Sequence, residues 1–503
     1  MNVAFRVDAS CQIGTGHFMR CFTLANALKQ RGANIRFISL KLSENFRTML
    51  SDKEYDFIQL NAATTGSIID ELAHSHWLGI CQNSDAQATI NALSGLIWDW
   101  LVVDHYALDA RWESALRQAA KRIFVIDDIA DRQHDCDVLL DQNYYTDMDK
   151  RYVGKIPAHC LLLLGPRYAL LRKEFFLLRQ EVQPRIGPVK RILVFFGGVD
   201  AENYTSKTID ALASKRLNII HVDVVIGKQH PFREEIEASC AEHRFACHVQ
   251  TSRISELMAS ADLGIGAGGS ATWERCCMGL PTLVIATSDN QIKQVGDAAS
   301  EGLLYAPSIN EDFYGLIQRH LSTLIENSNL RNFISNQALS AVDGRGVLRV
   351  IRKMGSIEIK MRVATPNDSE RLFKWRNHTK IRAVSRNSDE IDWSDHQKWY
   401  RAVLSSSERA LLIGSLHGVD IGVVRFDIID DMAEVSIYVV PDINMSGIGN
   451  DLLQSAEDWL KNVRPEISVI QAVVLGGNTR SHKFFSGLNY NVESICYLKK
   501  IYA

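Results

Sequence analysis

Val3-Ala4-Phe5-Arg6-Val7 leads through Gly14-Thr15-Gly16 into His17-Phe18-Met19-Arg20-Cys21. The apolar run predicts a strand and the glycines a turn. Phe18, Leu24 and Leu28 then mark one apolar face of a helix. A glycine turn lets backbone approach a ligand closely. A helix N-terminus offers unpaired N–H groups suited to phosphate. His17 opens the helix and is a candidate general base, because imidazole titrates near neutral pH. A helix-start residue held by packing is the alternative. A glycine turn alone suits any nucleotide or none.

The same alternation continues outward. Val3–Val7, Ile35–Ser39, Trp100–Asp104, Ile123–Asp127 and Leu161–Leu164 read as strands, each followed by a helical stretch. That pattern predicts a doubly wound parallel sheet with ligands at the carboxyl ends of its strands. Pro184-Arg185-Ile186-Gly187-Pro188 breaks any helix and marks a linker. A second alternating set follows at Ile192–Phe196, His221–Ile226, Ala246–Val249, Leu263–Ile265 and Thr282–Ile285, closed by helix from Asn310 to about Arg352. From Ser356 the character changes to a strand, a charged tryptophan-bearing helix, consecutive antiparallel strands, and a further helix and strand. The expected domains are 1–185 and 186–352, both Rossmann-like α/β, and a mixed α+β domain over 356–503.

The 503 residues exceed what one core supports. A net charge of -3 leaves no broad basic footprint for nucleic acid. No apolar run is long enough to span a bilayer. A strand starting almost at Met1 does not read as a signal peptide. The 10 cysteines include no Cys-x-x-Cys pair, which fits a reducing cytoplasm and no structural zinc. Asp127, Asp128, Asp131, His134, Asp135 and Asp137 have no recognisable metal-site spacing, so no metal is expected.

Gly264-Ile265-Gly266-Ala267-Gly268-Gly269-Ser270-Ala271-Thr272-Trp273-Glu274 reads as a strand end, a glycine loop and a helix start. Such a loop cradles a pyrophosphate with backbone N–H groups. Glu274 is placed to accept hydrogen bonds from a ribose diol, or simply to complement the helix dipole. These motifs, with Phe196-Gly197-Gly198-Val199-Asp200, Gly279-Leu280-Pro281 and Asp343-Gly344-Arg345-Gly346, resemble the UDP-sugar hydrolase family of pseudaminic acid biosynthesis over residues 1 to about 350. That family is related in fold to the GT-B glycosyltransferase of peptidoglycan synthesis. The resemblance implies removal of UDP from UDP-2,4-diacetamido-2,4,6-trideoxy-β-L-altropyranose, with inversion and water as nucleophile. It makes His17 the base or water-positioning group. It puts Ser270 and Thr272 near the diphosphate, Glu274 near the ribose, and Asn290 and Gln291 near phosphate or sugar. Gly14, Gly16, Gly198, Gly268 and Gly269 belong to its backbone cradle, and Asp8, Asp104 and Tyr106 are substrate-positioning candidates at strand ends.

Val439-Val440-Pro441 through Met445-Ser446-Gly447-Ile448-Gly449-Asn450 reads as a strand, a glycine loop and a helix, and resembles the acetyl-CoA pyrophosphate loop of GNAT acyltransferases. By that resemblance Val439, Val440, Met445, Gly447, Ile448, Gly449 and Asn450 meet acetyl-CoA as cosubstrate. Asn478-Thr479-Arg480-Ser481 resembles the later helix that borders coenzyme A, through Asn478 and Ser481. The chain departs from the family pattern at Asn444, Asn489 and Phe485, the last replacing a frequent tyrosine general acid. Trp375, Arg376, Asn377 and His396 look like the acceptor side. Glu434 is placed to deprotonate an ammonium through water, or to be an ordinary solvated strand residue.

Together the resemblances imply consecutive steps on one chain: 4-N-acetylation of a UDP-amino sugar, then hydrolysis of the UDP-sugar. Partners are small-molecule UDP-sugars, with no nucleic acid or membrane. The oligomeric state is open and the location expected is cytoplasmic. The alternative is a GT-B glycosyltransferase carrying a non-catalytic acetyl-CoA-binding or docking module.

Overall fold

The structure is a computed structural model describing residues 1–10, 13–61, 70–179, 181–214, 220–307, 312–355, 359–385, 387–416, 418–441, 443, 447–475, 477–488 and 490–493. Met445, Asn444 and Asn489 lie outside the described residues. The chain divides into two compact units, Met1–Ser356 and Ile357–Ala503.

The first unit holds two sheets. Strands β1 (Asn2–Val7), β2 (Asn34–Ser39), β3 (Asp56–Gln59), β4 (Trp100–Asp104), β5 (Ile123–Ile126), β6 (Val138–Asp141) and β7 (Leu161–Leu164) form a seven-stranded sheet in the order β3-β2-β1-β4-β5-β6-β7. Its recorded pairings are parallel. β8 (Arg191–Phe195), β9 (His221–Ile226), β10 (Ala246–Val249), β11 (Leu263–Ala267) and β12 (Thr282–Ile285) form a parallel sheet in the order β10-β9-β8-β11-β12. β3 and β6 escape the sequence pattern. β3 is a four-residue edge strand carrying Asp56 and Gln59, and β6 is a four-residue run behind Asp135 and Asp137. Strand order reverses between β1 and β4 in one sheet and between β8 and β11 in the other. These are the switch points where doubly wound sheets open a crevice. Two such sheets in succession are the GT-B architecture.

The last helix of each half packs against the other half. Phe175, in the Lys173–Arg179 helix, packs with Ala169 and Leu171 among Leu193, Trp273 and Met278 of the second half. The Gly346–Lys353 helix returns to the first: Val347, Val350 and Ile351, with Met354, join Val3, Phe18 and Trp100 in one core. Trp100 Nε1–H donates to the Met354 carbonyl at 2.8 Å. The helix carries Val347, Val350, Ile351 and Met354 at helical spacing, so its apolar stripe needs the open flank of β1 and the Gly16–Lys29 helix. The segment 186–352 is therefore not packed as one block.

The second unit is a mixed sheet, β13 (Lys360–Val363), β14 (Arg409–Leu416), β15 (Val419–Ile429), β16 (Met432–Val439) and β17 (Val469–Gln471), in chain order. The first three pairings are antiparallel and β16 runs parallel to β17. One face, with Val424, Phe426, Ala433 and Val435, packs on the Ile448–Val463 helix through Leu452, Leu453 and Ala456. The opposite face, with Leu411, Ile413 and Val423, packs on Leu372, Tyr400 and Val403 of the Ser369–Arg376 and Trp393–Leu404 helices. Period-2 alternation of large apolar residues on both faces is what a sheet covered on both sides requires.

Candidate functional site

In the first unit the site grows from the switch point of the seven-stranded sheet. Gly14, at φ +79°, turns the chain after β1, and the helix begins at Gly16. His17 and Arg20 lie one turn apart on it and both reach Asp104, the last residue of β4. His17 Nδ1 is 2.5 Å from Asp104 Oδ1. Arg20 donates to Asp104 through Nε at 2.6 Å and Nη2 at 2.7 Å, and to Asp128 through Nη1 at 2.8 Å. A nitrogen so close to a carboxylate oxygen must carry the intervening proton. Nδ1–H follows, and Arg20 Nη2 at 3.2 Å from Nδ1 is a neighbour rather than its donor; in the neutral ring this makes Nε2 the acceptor nitrogen. Burial opposes charge on Asp104, but Arg20 and His17 hold its carboxyl well below the usual carboxylate range.

Tyr106 lays its ring edge-on to the His17 ring, 4.6 Å between centroids, and its hydroxyl donates to Asp128. Ile13, His17, His74, Trp77 and Tyr106 line a cavity of 440 Å³, closed from the second half by Ser288, Asp289, Asn290 and Gln291. The glycine loop after β11 meets the same region. A Cβ at Gly16 would lie 3.6 Å from Ser270 Oγ, so the histidine turn and this loop are in near contact. A Cβ at Gly268 would meet Gln291 Oε1 and Val295 Cγ2, each at 2.8 Å, and Gly269 sits at φ +88°. At the other side of that switch point the Gly198 carbonyl presses on Gly227, too closely for a side chain there.

Several sequence expectations change. Asp8 does not face a ligand. It is fully buried, bonded to Arg6 at 2.7 Å and to the Leu40 and Lys41 amides, with His105 at 3.3 Å. Asp104 positions His17 rather than substrate, since His17 and Arg20 take its oxygens. Thr272 is buried behind the loop, its hydroxyl accepting from Arg275 Nη2 at 3.2 Å. Glu274 meets Arg172 Nη2 at 3.4 Å, and burial pushes its carboxyl up. Arg20, His74, Trp77 and Asp128 were not assigned from sequence. The i, i+3 spacing of His17 and Arg20 is a signal for the first, and His74-Ser75-His76-Trp77 for the next two. Among the described residues, no group of three or more His, Cys, Asp or Glu could hold a metal, and no helix is long and apolar enough to cross a membrane.

In the second unit, β16 pairs with β17 only over Met432–Glu434. Among the described residues Val435–Val439 have no partner in β17, so that flank of the strand is unpaired by it beside the turn. Gly447, at φ +83°, opens the 16-residue Ile448–Val463 helix. Ile448 is buried in the core, so only its backbone could serve a ligand. A Cβ at Gly449 would make ordinary contacts with Phe484 at 3.4 Å and Val439 at 3.5 Å. Val440 N–H is taken by the Ile421 carbonyl at 2.9 Å. Asn450 N–H turns back to the Gly447 carbonyl at 3.0 Å. Asn478 caps the Thr479–Ser486 helix by accepting from the Ser481 amide at 3.0 Å. An open strand edge and a helix N-terminus led by a left-handed glycine fit a ligand carrying amides at one end and a pyrophosphate at the other.

The register Val423↔Tyr438, Arg425↔Ser436, Asp427↔Glu434 puts Glu434, Tyr438 and Arg425 on the sheet face covered by the two helices. Trp375 packs against that apolar cluster beside Trp399 and Tyr438. Asn377 instead closes a loop, exchanging two bonds with the Ile391 backbone at 2.8 and 2.9 Å. His396 is a packing residue: buried, donating Nε2–H to the Ser369 carbonyl at 2.9 Å, its pKa lowered by burial. Phe485 packs against Phe484 and Tyr490.

Residues 370–490 match the family model described as the acetyltransferase (GNAT) family. The C-terminal unit is a GNAT domain. Over almost its whole length the chain is similar to an uncharacterised protein of Methanocaldococcus jannaschii, 22% identical over 97% of this chain and 96% of that one. It is also similar to the UDP-2,4-diacetamido-2,4,6-trideoxy-beta-L-altropyranose hydrolase of Campylobacter jejuni, 24% identical over 51% of this chain and 81% of the relative. Among solved structures, MurG of Acinetobacter baumannii aligns with 70% of this chain and 99% of its own, at 14% identity and a TM-score of 0.48. In the sequence the GNAT domain follows the unit of two doubly wound sheets, and the chain's relatives include a named UDP-sugar hydrolase.

Proposed function

We propose that the chain is a bifunctional nucleotide-sugar enzyme. The first unit hydrolyses UDP-2,4-diacetamido-2,4,6-trideoxy-β-L-altropyranose to the free sugar and UDP, with inversion. The GNAT domain acetylates the 4-amino group of the UDP-amino-sugar precursor with acetyl-CoA. The observation that carries the reading is the His17–Asp104 pair on a cavity whose far wall is Asn290 and Gln291. Asp104 holds Nδ1–H, so Nε2 takes a proton from water as its oxygen bonds to the anomeric carbon. The bond from that carbon to the diphosphate oxygen breaks and its electron pair leaves with UDP. Ordinary inverting glycosidases need a second carboxyl as general acid. A diphosphate leaves without protonation, so fixed donors suffice to meet its charge; Gly268 N–H is taken by the Ile285 carbonyl at 3.2 Å, and the amides of Gly269 and Ser270 would supply them. In the second unit acetyl-CoA would supply the acyl group. The open edge of β16 and the Gly447 turn would hold it, and Glu434 would accept a proton from the acceptor ammonium through water.

The full-length protein is incubated with the UDP-4-amino sugar in ¹⁸O-water, with and without acetyl-CoA, and products are followed by NMR. The reading requires acetylation only with acetyl-CoA, then UDP release with the label on the sugar anomeric hydroxyl. Label in UDP, or transfer to an added sugar acceptor in preference to water, would overturn it.

A further inference from the structure

Arg376 and Arg382 end two short helices, Ser369–Arg376 and Thr379–Arg382, of the GNAT domain. Among the described residues, Arg376 Nη1 and Arg382 Nε are buried without a hydrogen-bond partner. Among the described residues Arg376 Nη2 reaches the Asn387 carbonyl alone, at 3.0 Å. The acid paired with Arg382 is Glu390, 3.9 Å away and 75% exposed. Arg425 rises from β15 on the same sheet face as Tyr438, its guanidinium 5.8 Å from the Trp399 ring centroid. Asp427 occupies its Nε and one terminal nitrogen, at 3.0 and 2.8 Å. Burial lowers the pKa of Arg376. Tyr438 opposes the shift, and the charges of Arg382 and Arg425 add to it.

Buried guanidinium donors without acceptors are costly, and like charges held together add to the cost. Such an arrangement persists where an anion completes it. Planar forks match phosphate oxygens two at a time. Trp375, Trp399 and Tyr438 pack beside the charges and provide flat apolar surface. We propose that Arg376, Arg382 and Arg425 form an anion subsite that takes the diphosphate of a nucleoside-diphosphate acceptor. The inference rests on the acetyltransferase reading above and names what that site recognises: the phosphate link, in addition to the amine.

The same chemistry could come from the phosphates of coenzyme A, so the test separates the two. CoA release is measured with full-length protein in a His17→Ala background, which keeps the nucleotide sugar intact. Acceptors are the UDP-4-amino sugar and the methyl glycoside of the same amino sugar. Arg376→Gln and Arg382→Gln should each raise the KM for the UDP-sugar about tenfold. KM for acetyl-CoA and rates on the methyl glycoside should stay within about twofold of the parent. Arg376→Lys, which keeps the charge but not the fork, should fall between. UDP should compete with the UDP-sugar in the parent and lose potency in the variants. An unchanged acceptor KM would overturn the subsite. So would a rise in the acetyl-CoA KM instead, or an equal loss on both acceptors. If the parent leaves the UDP-amino sugar unacetylated, the acetyltransferase reading itself falls, and the subsite with it.

Discussion

His17 Nδ1 and Asp104 Oδ1 lie 2.5 Å apart although 87 residues separate them in the chain. Parallel pairing of β1 with β4 brings them together: the turn after one strand and the end of the next flank the same crevice. Asp104→Asn would offer an amide where a carboxylate now fixes the ring. UDP release should fall by about 10²–10⁴-fold while acetyl transfer is retained. Steady-state assays of both activities on one preparation check this. More than about a tenth of parental hydrolysis would show that the pair does not set the base.

On the proposed mechanism the imidazole acts on water and not on the ground-state sugar, so His17→Ala should remove hydrolysis to the same extent without raising KM in proportion. A variant that loses KM alone would make His17 a binding group.

Gly268 has no room for a methyl group. Gly268→Ala must displace Gln291 and Val295, at a cost of about 1–3 kcal/mol, and with them the wall that carries Asn290. The KM for the UDP-sugar should rise more than kcat falls, and the thermal midpoint should drop. A silent substitution would mean that loop and wall are independent of the nucleotide.

In the GNAT domain the two glycines should separate. Gly447 is left-handed, and Gly447→Ala costs about 1–2 kcal/mol of backbone strain and should raise the KM for acetyl-CoA. Gly449 has ordinary contact distances around a would-be Cβ, so Gly449→Ala should leave thermal stability unchanged, whereas Gly449→Val should weaken acetyl-CoA by filling ligand space. Calorimetric titration with acetyl-CoA and a melting curve for each variant decide it. Parental affinity in both Gly447→Ala and Gly449→Val would remove the pyrophosphate role from this loop.

His134 is buried with Nδ1 2.7 Å from Glu113 and Nε2 3.8 Å from Asp127. Burial alone would lower its pKa, but Glu113 and Asp127 outweigh that and raise it to about 9. The native state thus binds a proton more tightly than the unfolded chain, where histidine titrates near about 6.5. The stabilisation, about 3 kcal/mol, is full below that value and is lost as pH rises through about 9. Denaturant unfolding between pH 6 and 9.5 should show the slope, and His134→Gln should flatten it. An equal slope in the variant would assign the pH dependence elsewhere.

The alternation of apolar strands with helices was enough to read both doubly wound sheets, because strands buried on both faces leave continuous apolar runs. β3 and β6 were not legible: an edge strand with polar ends and a four-residue strand after acidic residues carry too little pattern. The place of His17 at a helix start after a glycine turn was legible. The partners of Asp8 and Asp104 were not, since a carboxylate at a strand end looks the same whether it meets substrate or a buried arginine. Only Arg6 and Arg20, folded against them, decide that. Arg382 and Arg425 were invisible for the same reason: register and helix ends, not local spacing, assemble the cluster.

The returning helix has a consequence for how the chain is made. Val347, Val350, Ile351 and Met354 complete the core around β1 and Trp100, yet they are among the last residues of the first unit to leave the ribosome. Until they emerge, the earliest-synthesised sheet stands with an unfilled flank. Completion of that core waits for a segment some 350 positions downstream, which is synthesised after every strand of the second sheet.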